Sequence, residues 1–198
     1  MPTLHLQDVH LTRGITPVFA GLQLELTEDR IGLIGNNGAG KTSLLRLLCG
    51  LEAPDQGSIH IDGMDIHQRE GRLKRSQRIG MMFQNPDDQI IFPTVEEELA
   101  LGLPGLKKLE ALQKAREFLA QRGLSDWAQR AISALSQGQR QHVCWLTLLL
   151  AGPATLLLDE PYASLDLPGQ ARLAHDLNRS DRQLIVSTHL LDHVRTYK

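Results

Sequence analysis

The stretch "GNNGAGKT", residues 35–42, carries residue types that bind phosphate. It fits the pattern G-x-x-x-x-G-K-[ST] without a mismatch, after an apolar run and before a helical pattern. Its glycines let consecutive backbone N–H groups point at an anion, and the helix N-terminus adds positive charge. Lys41 is expected to reach the β- and γ-phosphates, and the Thr42 hydroxyl to bind Mg²⁺. The predicted nucleotide contacts are Gly35, Asn36, Asn37, Gly38, Ala39, Gly40, Lys41, Thr42 and Ser43.

A second set of reactive groups follows the apolar run in "TLLLDEP". The run predicts a buried strand, and ligands of open α/β sheets gather at the carboxyl ends of such strands. Asp159 is therefore expected to hold Mg²⁺, and Glu160 to polarise an attacking water. A solvated acidic turn before Pro161 is the alternative, but the complete phosphate loop in the same chain favours the catalytic interpretation.

The bulk composition sets the class of protein in which these residues lie. The chain has 198 residues and a formal net charge of −2, which suits one globular domain and argues against a nucleic-acid partner. Two cysteines, Cys49 and Cys144, lie in apolar helical patterns, so a disulfide framework is not expected. "MPTLHLQDVHL" lacks the features of a signal peptide, and Gly152-Pro153 splits the most apolar stretch, so we expect a soluble protein.

The elements that must position these groups follow from periodicity. "LHLQDVHL" and "LQLEL" alternate, which predicts half-exposed antiparallel strands, whereas "RIGLIG" predicts a buried parallel strand. The pattern from Thr94 to about Leu150 is helical, with a capping box at Thr94 and Glu97 and an apolar stripe at four later positions. That stripe is Leu109, Leu112, Ala115 and Leu119.

Further motifs occur in a fixed order along almost the whole chain, and together they resemble an ATP-binding-cassette (ABC) ATPase. They are "GNNGAGKT", Gln84, "LSQGQR" (135–140), "LLLDEP", "SLD" (164–166) and "STH" ending at His189. The resemblance implies an α/β P-loop NTPase fold of the ABC type, with an antiparallel β subdomain and a helical subdomain. It places one domain over 1–198, with 1–86 and 153–198 as the catalytic core and 87–152 as the helical subdomain.

The resemblance also implies roles in ATP hydrolysis. Two cassettes would sandwich two ATP molecules, so that Ser136, Gly138 and Gln139 contact the nucleotide of the other subunit. Ser136 and Gln139 also form a capping box, which predicts that a helix begins here. Asp166 would link the two sites and His189 would sense the γ-phosphate. With Glu160 and Lys41, the implied catalytic residues then include His189 and Gln84, the last lying near Mg²⁺ and the attacking water.

The stretch "FQNPDDQIIFPTVEEELALG", residues 83–102, resembles the ATPases of energy-coupling factor (ECF) importers of vitamins, cobalt or nickel. Its five carboxylates predict that it receives a basic coupling helix of a membrane partner. Two further stretches, "LTEDRIGLIGNNGAGKTSLLRLL" and "SLDLPGQARLAHDL", most resemble a biotin-uptake ATPase. The implied partners are a second cassette, a transmembrane coupling protein and an integral membrane substrate binder, at the cytoplasmic face of the inner membrane.

Several alternatives stay open at this point. A cassette of an importer that uses a binding protein shares every catalytic motif, and a soluble non-transport cassette is a further reading. His189 and His193 have the spacing of a metal pair, but the stretch lacks a third ligand. Arg13 stands where an adenine-stacking aromatic is usual, so it would stack by cation–π geometry or leave the adenine loosely held. Cassettes usually continue well beyond His189, so whether Lys198 is a natural end stays open as well.

Overall fold

The computed structural model describes residues 2–189, without the side chains at positions 72, 73 and 76. The chain divides into two compact units. The first unit comprises the residues up to Met81, Pro153–Pro161 and the residues from Ala174 onward. The second unit comprises Met82–Gly152 and Tyr162–Leu173. The predicted division into a catalytic core and a helical subdomain, at other boundaries, stays a prediction.

Eight strands and six α-helices are formed by the described residues. In chain order they are β1 (Leu4–Arg13), β2 (Thr16–Leu26), β3 (Arg30–Ile34), α1 (Lys41–Leu48), β4 (Gln56–Ile61), β5 (Met64–Asp65), α2 (Arg69–Arg78), β6 (Ile79–Met82), α3 (Val95–Leu101), α4 (Lys108–Gln121), α5 (Gln137–Ala151), β7 (Thr155–Asp159), α6 (Leu167–Asn178) and β8 (Gln183–Thr188). Short 3-10 turns at Pro86–Asp88, Ser125–Trp127 and Ile132–Ala134 complete the pattern.

One sheet is antiparallel, with the strand order β2-β1-β4-β5. Its strands alternate as the sequence predicts, and the buried residues meet in register: Leu4 pairs with Ile61, and Leu6 with Ile59. One face of the sheet therefore enters the core while the polar positions between them face outward.

The second sheet has the order β3-β8-β7-β6, and β8 pairs in parallel with both β3 and β7. Every residue of β7 and β8 is buried, as expected for inner strands covered on both faces. The prediction that "RIGLIG" forms a parallel strand is confirmed, but its predicted burial is wrong. Within residues 2–189, β3 lies at the edge of the sheet, and its residues are only half-buried or exposed. The carboxyl ends of β7 and β8 meet at one edge of the sheet, which positions the candidate site.

The second unit is helical and packs around Val95, Leu99, Leu119 and Val143. The predicted stripe on α4 is shifted, since Leu109 is 83% exposed and Ala111 joins the buried line instead. The predicted capping box at Thr94 also differs: its hydroxyl donates to the Glu97 carboxylate at 2.7 Å, and its side chain makes no bond to the backbone of α3.

Both cysteines are buried free thiols, as predicted. Burial raises the pKa of the Cys49 thiol, and burial together with the Glu98 carboxylate raises the pKa of Cys144 to about 12. Neither thiol is therefore a reactive thiolate near neutral pH. Among residues 2–189, no helix has the length and apolar character needed to cross a membrane.

Candidate nucleotide site

The phosphate loop lies between β3 and α1, where the sequence predicts it. Gly40 forms the N-cap of α1 with φ +88°, a backbone conformation that side chains rarely adopt. A Cβ atom on Gly40 would also lie 3.1 Å from Val18 and 3.2 Å from Phe19 of β2, so the loop needs glycine there. The first turn of α1 holds no acidic residue, and its N–H groups can therefore bind an external anion. Ser43 follows in this first turn.

The Lys41 ammonium group contacts the loop that precedes α1. Its Nζ donates to the carbonyl oxygens of Gly35 at 2.7 Å and Asn36 at 3.2 Å. The same atom lies 3.6 Å from Glu160 Oε1, and both side chains are largely buried. The loop thus encloses a positive charge, and binding of the β- and γ-phosphates by Lys41 stays a prediction.

Asp159 is the last residue of β7 and is only 3% exposed. One carboxylate oxygen accepts from the Thr42 hydroxyl at 2.7 Å, and the other accepts from the Ser187 hydroxyl at 2.6 Å. The Thr42 hydroxyl and the Asp159 carboxylate therefore lie side by side, and oxygen atoms of these types are suitable ligands for Mg²⁺. The described residues hold no group of three or more His, Cys, Asp or Glu side chains able to bind a metal, so these two oxygens would need phosphate or water oxygens as further ligands.

Glu160 has a strained backbone and a doubly contacted carboxylate. Its φ is +45°, which is uncommon for a residue with a side chain and typical of functional sites. Its N–H donates to the carbonyl oxygen and to the hydroxyl of Ser187, at 3.2 and 3.0 Å. Its carboxylate lies 2.9 Å from His189 Nδ1, in addition to the Lys41 contact. The turn after β7 thus aims an acidic group at the loop.

Ser187 is a site residue that the sequence-based reasoning missed. It faces Asp159 in the parallel register of β7 and β8, and its hydroxyl joins the Asp159 carboxylate to the Glu160 backbone. The motif "STH" contains the signal, but only the pairing of the two strands shows which carboxylate this serine meets. The structure therefore brings together Lys41, Thr42, Asp159, Glu160 and His189, and adds Ser187.

The other predicted site residues lie in the second unit, and their roles toward nucleotide stay predictions. Ser136 caps α5 with the predicted box: its hydroxyl accepts from Gln139 N, and Gln139 Oε1 accepts from Ser136 N at 2.9 Å. Asp166 Oδ1 accepts from Gly169 N at 2.9 Å in the first turn of α6. One cavity of about 550 Å³ is lined by four of these residues, namely Ser136, Gly138, Gln139 and Asp166. Gln84 is exposed just after β6.

Most carboxylates of the 83–102 stretch are already bound inside the second unit. Asp87 pairs with Arg140 at 2.9 Å, and Glu98 accepts from the N–H groups of Ile91 and Phe92. The Arg116 guanidinium binds the Glu96 carboxylate, and the Thr94 hydroxyl donates to Glu97. Of the five, only Asp88 has a carboxylate without a partner among residues 2–189. Arginine side chains neutralise two of the five, Asp87 and Glu96, so the charge available to a basic partner is smaller than the sequence suggests.

Two further predictions concern Arg13 and His193. The Arg13 guanidinium binds the Glu52 carboxylate, and this hydrogen bond raises the pKa of Arg13. Stacking of Arg13 on adenine stays a prediction. His193, the second member of the considered metal pair, lies outside the described residues.

Comparison with known proteins gives the family. The family described as ABC transporter matches residues 20–163. The chain is 43% identical to the biotin transport ATP-binding protein BioM of Rhodobacter capsulatus, over 96% of this chain and 81% of that protein. It is 36% identical to the energy-coupling factor transporter ATP-binding protein EcfA of Methanosphaera stadtmanae, over 92% of this chain and 68% of that protein.

A solved structure of CbiO1 from Clostridium perfringens, part of the ABC transporter complex cbiONQ, matches with a TM-score of 0.78 and 26% identity, over 98% of this chain and 81% of that one. The predicted fold class and the resemblance to ECF-type ATPases are confirmed by these findings. This chain belongs to the ABC transporter family and is one of its ATP-binding, ATP-hydrolysing proteins.

Proposed function

We propose that this protein energises an ECF-type importer, with biotin as the favoured cargo and cobalt or nickel ions as the next candidates. The observation that carries the proposal is the cluster of Lys41, Thr42, Asp159, Glu160 and His189 at the loop, in a chain 43% identical to a biotin transport ATP-binding protein. The protein would act peripherally at the cytoplasmic face of the inner membrane. Its formal net charge of −2 gives no reason to expect a nucleic-acid partner.

The loop and the turn after β7 divide the work of hydrolysis. Backbone N–H groups of residues 35–40 and the Lys41 ammonium would bind the phosphates of ATP, and Thr42 and Asp159 would hold Mg²⁺. When bound, Mg²⁺ neutralises charge on the phosphate oxygens. Gln84 is proposed as a further group near the metal and the attacking water.

Glu160 is the proposed base. Its carboxylate, held between Lys41 and His189, accepts a proton from the attacking water and thereby makes the oxygen more nucleophilic. Ser187 fixes the turn by binding both Asp159 and the Glu160 N–H. His189 is half-exposed and contacts Glu160, and this contact supports a role for His189 in reporting the γ-phosphate to the base.

Hydrolysis is proposed to require a second cassette. The N-terminus of α5, capped by Ser136, has no acidic residue in its first turn and would bind the γ-phosphate held by the other subunit. Gly138 and Gln139 belong to this turn, and Asp166 lines the same cavity. Closure of two cassettes on ATP would move the coupling helices of a transmembrane protein, which in turn works with an integral membrane substrate binder.

The deciding experiment combines partner capture with uptake. Tagged full-length protein is purified from detergent-solubilised membranes of the native host, and co-purifying proteins are identified by mass spectrometry. Uptake of labelled biotin, cobalt and nickel is then measured with the parent protein and with Glu160→Gln. A transmembrane partner with a small integral substrate binder, and biotin uptake lost in the variant, are expected. A permease with a soluble binding protein would replace the ECF assignment by a generic importer.

A further inference from the structure

The segment of residues 83–92, here the turn segment, is tied by hydrogen bonds from side chains of the second unit. Gln89 Oε1 accepts from Phe83 N at 2.9 Å, and Asn85 Oδ1 accepts from Asp87 N at 3.3 Å. At its other end, the buried Glu98 carboxylate accepts from the N–H groups of Ile91 and Phe92 at 3.0 and 2.9 Å. Because both ends and the 3-10 turn are held by these bonds, we expect a push on the turn segment to displace it as one piece.

Two contacts attach this piece to α5. Asp87 Oδ1 lies 2.9 Å from Arg140 Nη1, and Ile90 packs against a cluster that includes Val143 and Leu146 of α5. Arg140 follows Gln139 in the first turn of α5, and its backbone N–H donates to Ser136 O at 2.9 Å. The ion pair therefore ends at the capped helix terminus, one residue from the capping box.

Arg140 depends on Asp87 for its position. Its side chain is 27% exposed, and its Nε is buried without a hydrogen-bond partner among the described residues. Loss of the Asp87 carboxylate would leave a half-buried guanidinium without its counter-ion, which disfavours the present conformation. The carboxylate thus sets the orientation of the Arg140 side chain and, through it, the contact between the turn segment and the first turn of α5.

We infer that Asp87 and Arg140 are positioning residues that transmit displacement of the turn segment by the membrane partner to the N-terminus of α5. The inference rests on the proposed function, because it needs a partner that contacts the segment and a phosphate at α5. It assigns Asp87 to an internal link rather than to direct pairing with a basic coupling helix, and it leaves Asp88 as the carboxylate available to that helix.

The test uses the complete importer with the variants Arg140→Gln, Asp87→Asn, their combination and Arg140→Lys. ATPase activity is measured without and with the membrane partners, and uptake is expressed per ATP hydrolysed. We expect uptake per ATP to fall about fivefold or more in each single variant, the lower end of ordinary coupling factors, with no further loss in the combination. Arg140→Lys keeps the charge and is expected to restore most of the coupling.

The matched control is Arg130→Gln, which breaks the exposed Arg130–Asp126 pair of the same unit and is expected to leave coupling unchanged. Thermal melts of each variant separate a folding defect from a coupling defect. Parent importer that transports, with Arg140→Gln coupled equally well, would overturn this inference alone. So would single-variant losses that simply add in the combination. Parent importer without ATP-driven uptake would overturn the proposed function itself.

Discussion

Each unit of the protein buries carboxylates, but with different kinds of partner. In the first unit, Asp159 and Glu160 meet hydroxyls, an ammonium group and an imidazole beside the phosphate loop. In the second unit, Glu98 meets two backbone N–H groups, and Glu96 is bound by both arms of the Arg116 guanidinium. Burial alone therefore does not identify a reactive carboxylate. The kind of partner does: the carboxylates of the candidate site contact groups that can transfer a proton or bind phosphate.

The backbone makes the same distinction. Glu160 is held at φ +45°, in a turn that two bonds to Ser187 stabilise, whereas Glu96 and Glu98 lie within the regular helix α3. Strained conformations persist only where neighbouring contacts enforce them, and they cluster at functional sites. The first unit thus holds the Glu160 carboxylate in a strained turn that faces the phosphate loop. The second unit uses its buried carboxylates to hold the turn segment in place.

Glu160→Gln is the sharpest way to break this comparison, and it should have the largest effect. The amide keeps the shape of the side chain but cannot accept a proton, so we expect the hydrolysis rate to fall by about 10²-fold or more while ATP binding persists. Steady-state phosphate release and nucleotide-binding titrations measure the two properties. Glu25→Gln, an exposed glutamate of the same unit, serves as the control. Unchanged turnover in Glu160→Gln would remove the residue from its proposed role.

Ser187→Ala should have the next largest effect, because this hydroxyl connects the two acids. Without it, one oxygen of the buried Asp159 loses its donor, at a cost of about 1–3 kcal/mol in the free energy of unfolding. We expect the hydrolysis rate to fall about tenfold, as for other residues that orient a metal ligand. Denaturant unfolding and ATPase assays are compared with Ser58→Ala on β4. Full activity with reduced stability would make Ser187 structural only.

The success of the sequence-based predictions follows the range of the interactions. The phosphate loop, the cap at Ser136 and the strands β7 and β8 depend on neighbouring residues, so pattern and spacing predicted them. The edge position of β3 depends on strand order, which is set by distant parts of the chain. The bond of Ser187 to Asp159 depends on the register of two strands that lie 28 residues apart in sequence, and no local pattern contains it.

The acidic stretch after Gln84 also shows that sequence alone does not predict long-range contacts. Its composition predicts a surface that attracts a basic helix, yet four of its five carboxylates have partners within the unit. Arg116 and Arg140, which bind two of them, come 20 and 53 residues later than Glu96 and Asp87 in the chain. Charge counted along a sequence therefore overstates the charge that a folded surface presents.

Arg116→Gln tests the carboxylates of the second unit, which we expect to stabilise the fold, and its effect should be the smallest of the three. The hydrogen bonds from Arg116 hold the pKa of Glu96 below its ordinary 4.5, so the pair stabilises the folded state above that pH. We expect a melting temperature lower by a few degrees at pH 7, with the hydrolysis rate unchanged. The difference from the parent should shrink as the pH falls from 4.5 through the lowered pKa of Glu96, because the folded parent protonates Glu96 only at that lower pH and then loses the ion pair. A difference that stays constant to acidic pH would mean that Arg116 acts through its alkyl chain instead, and that the Glu96 carboxylate is not the group it stabilises.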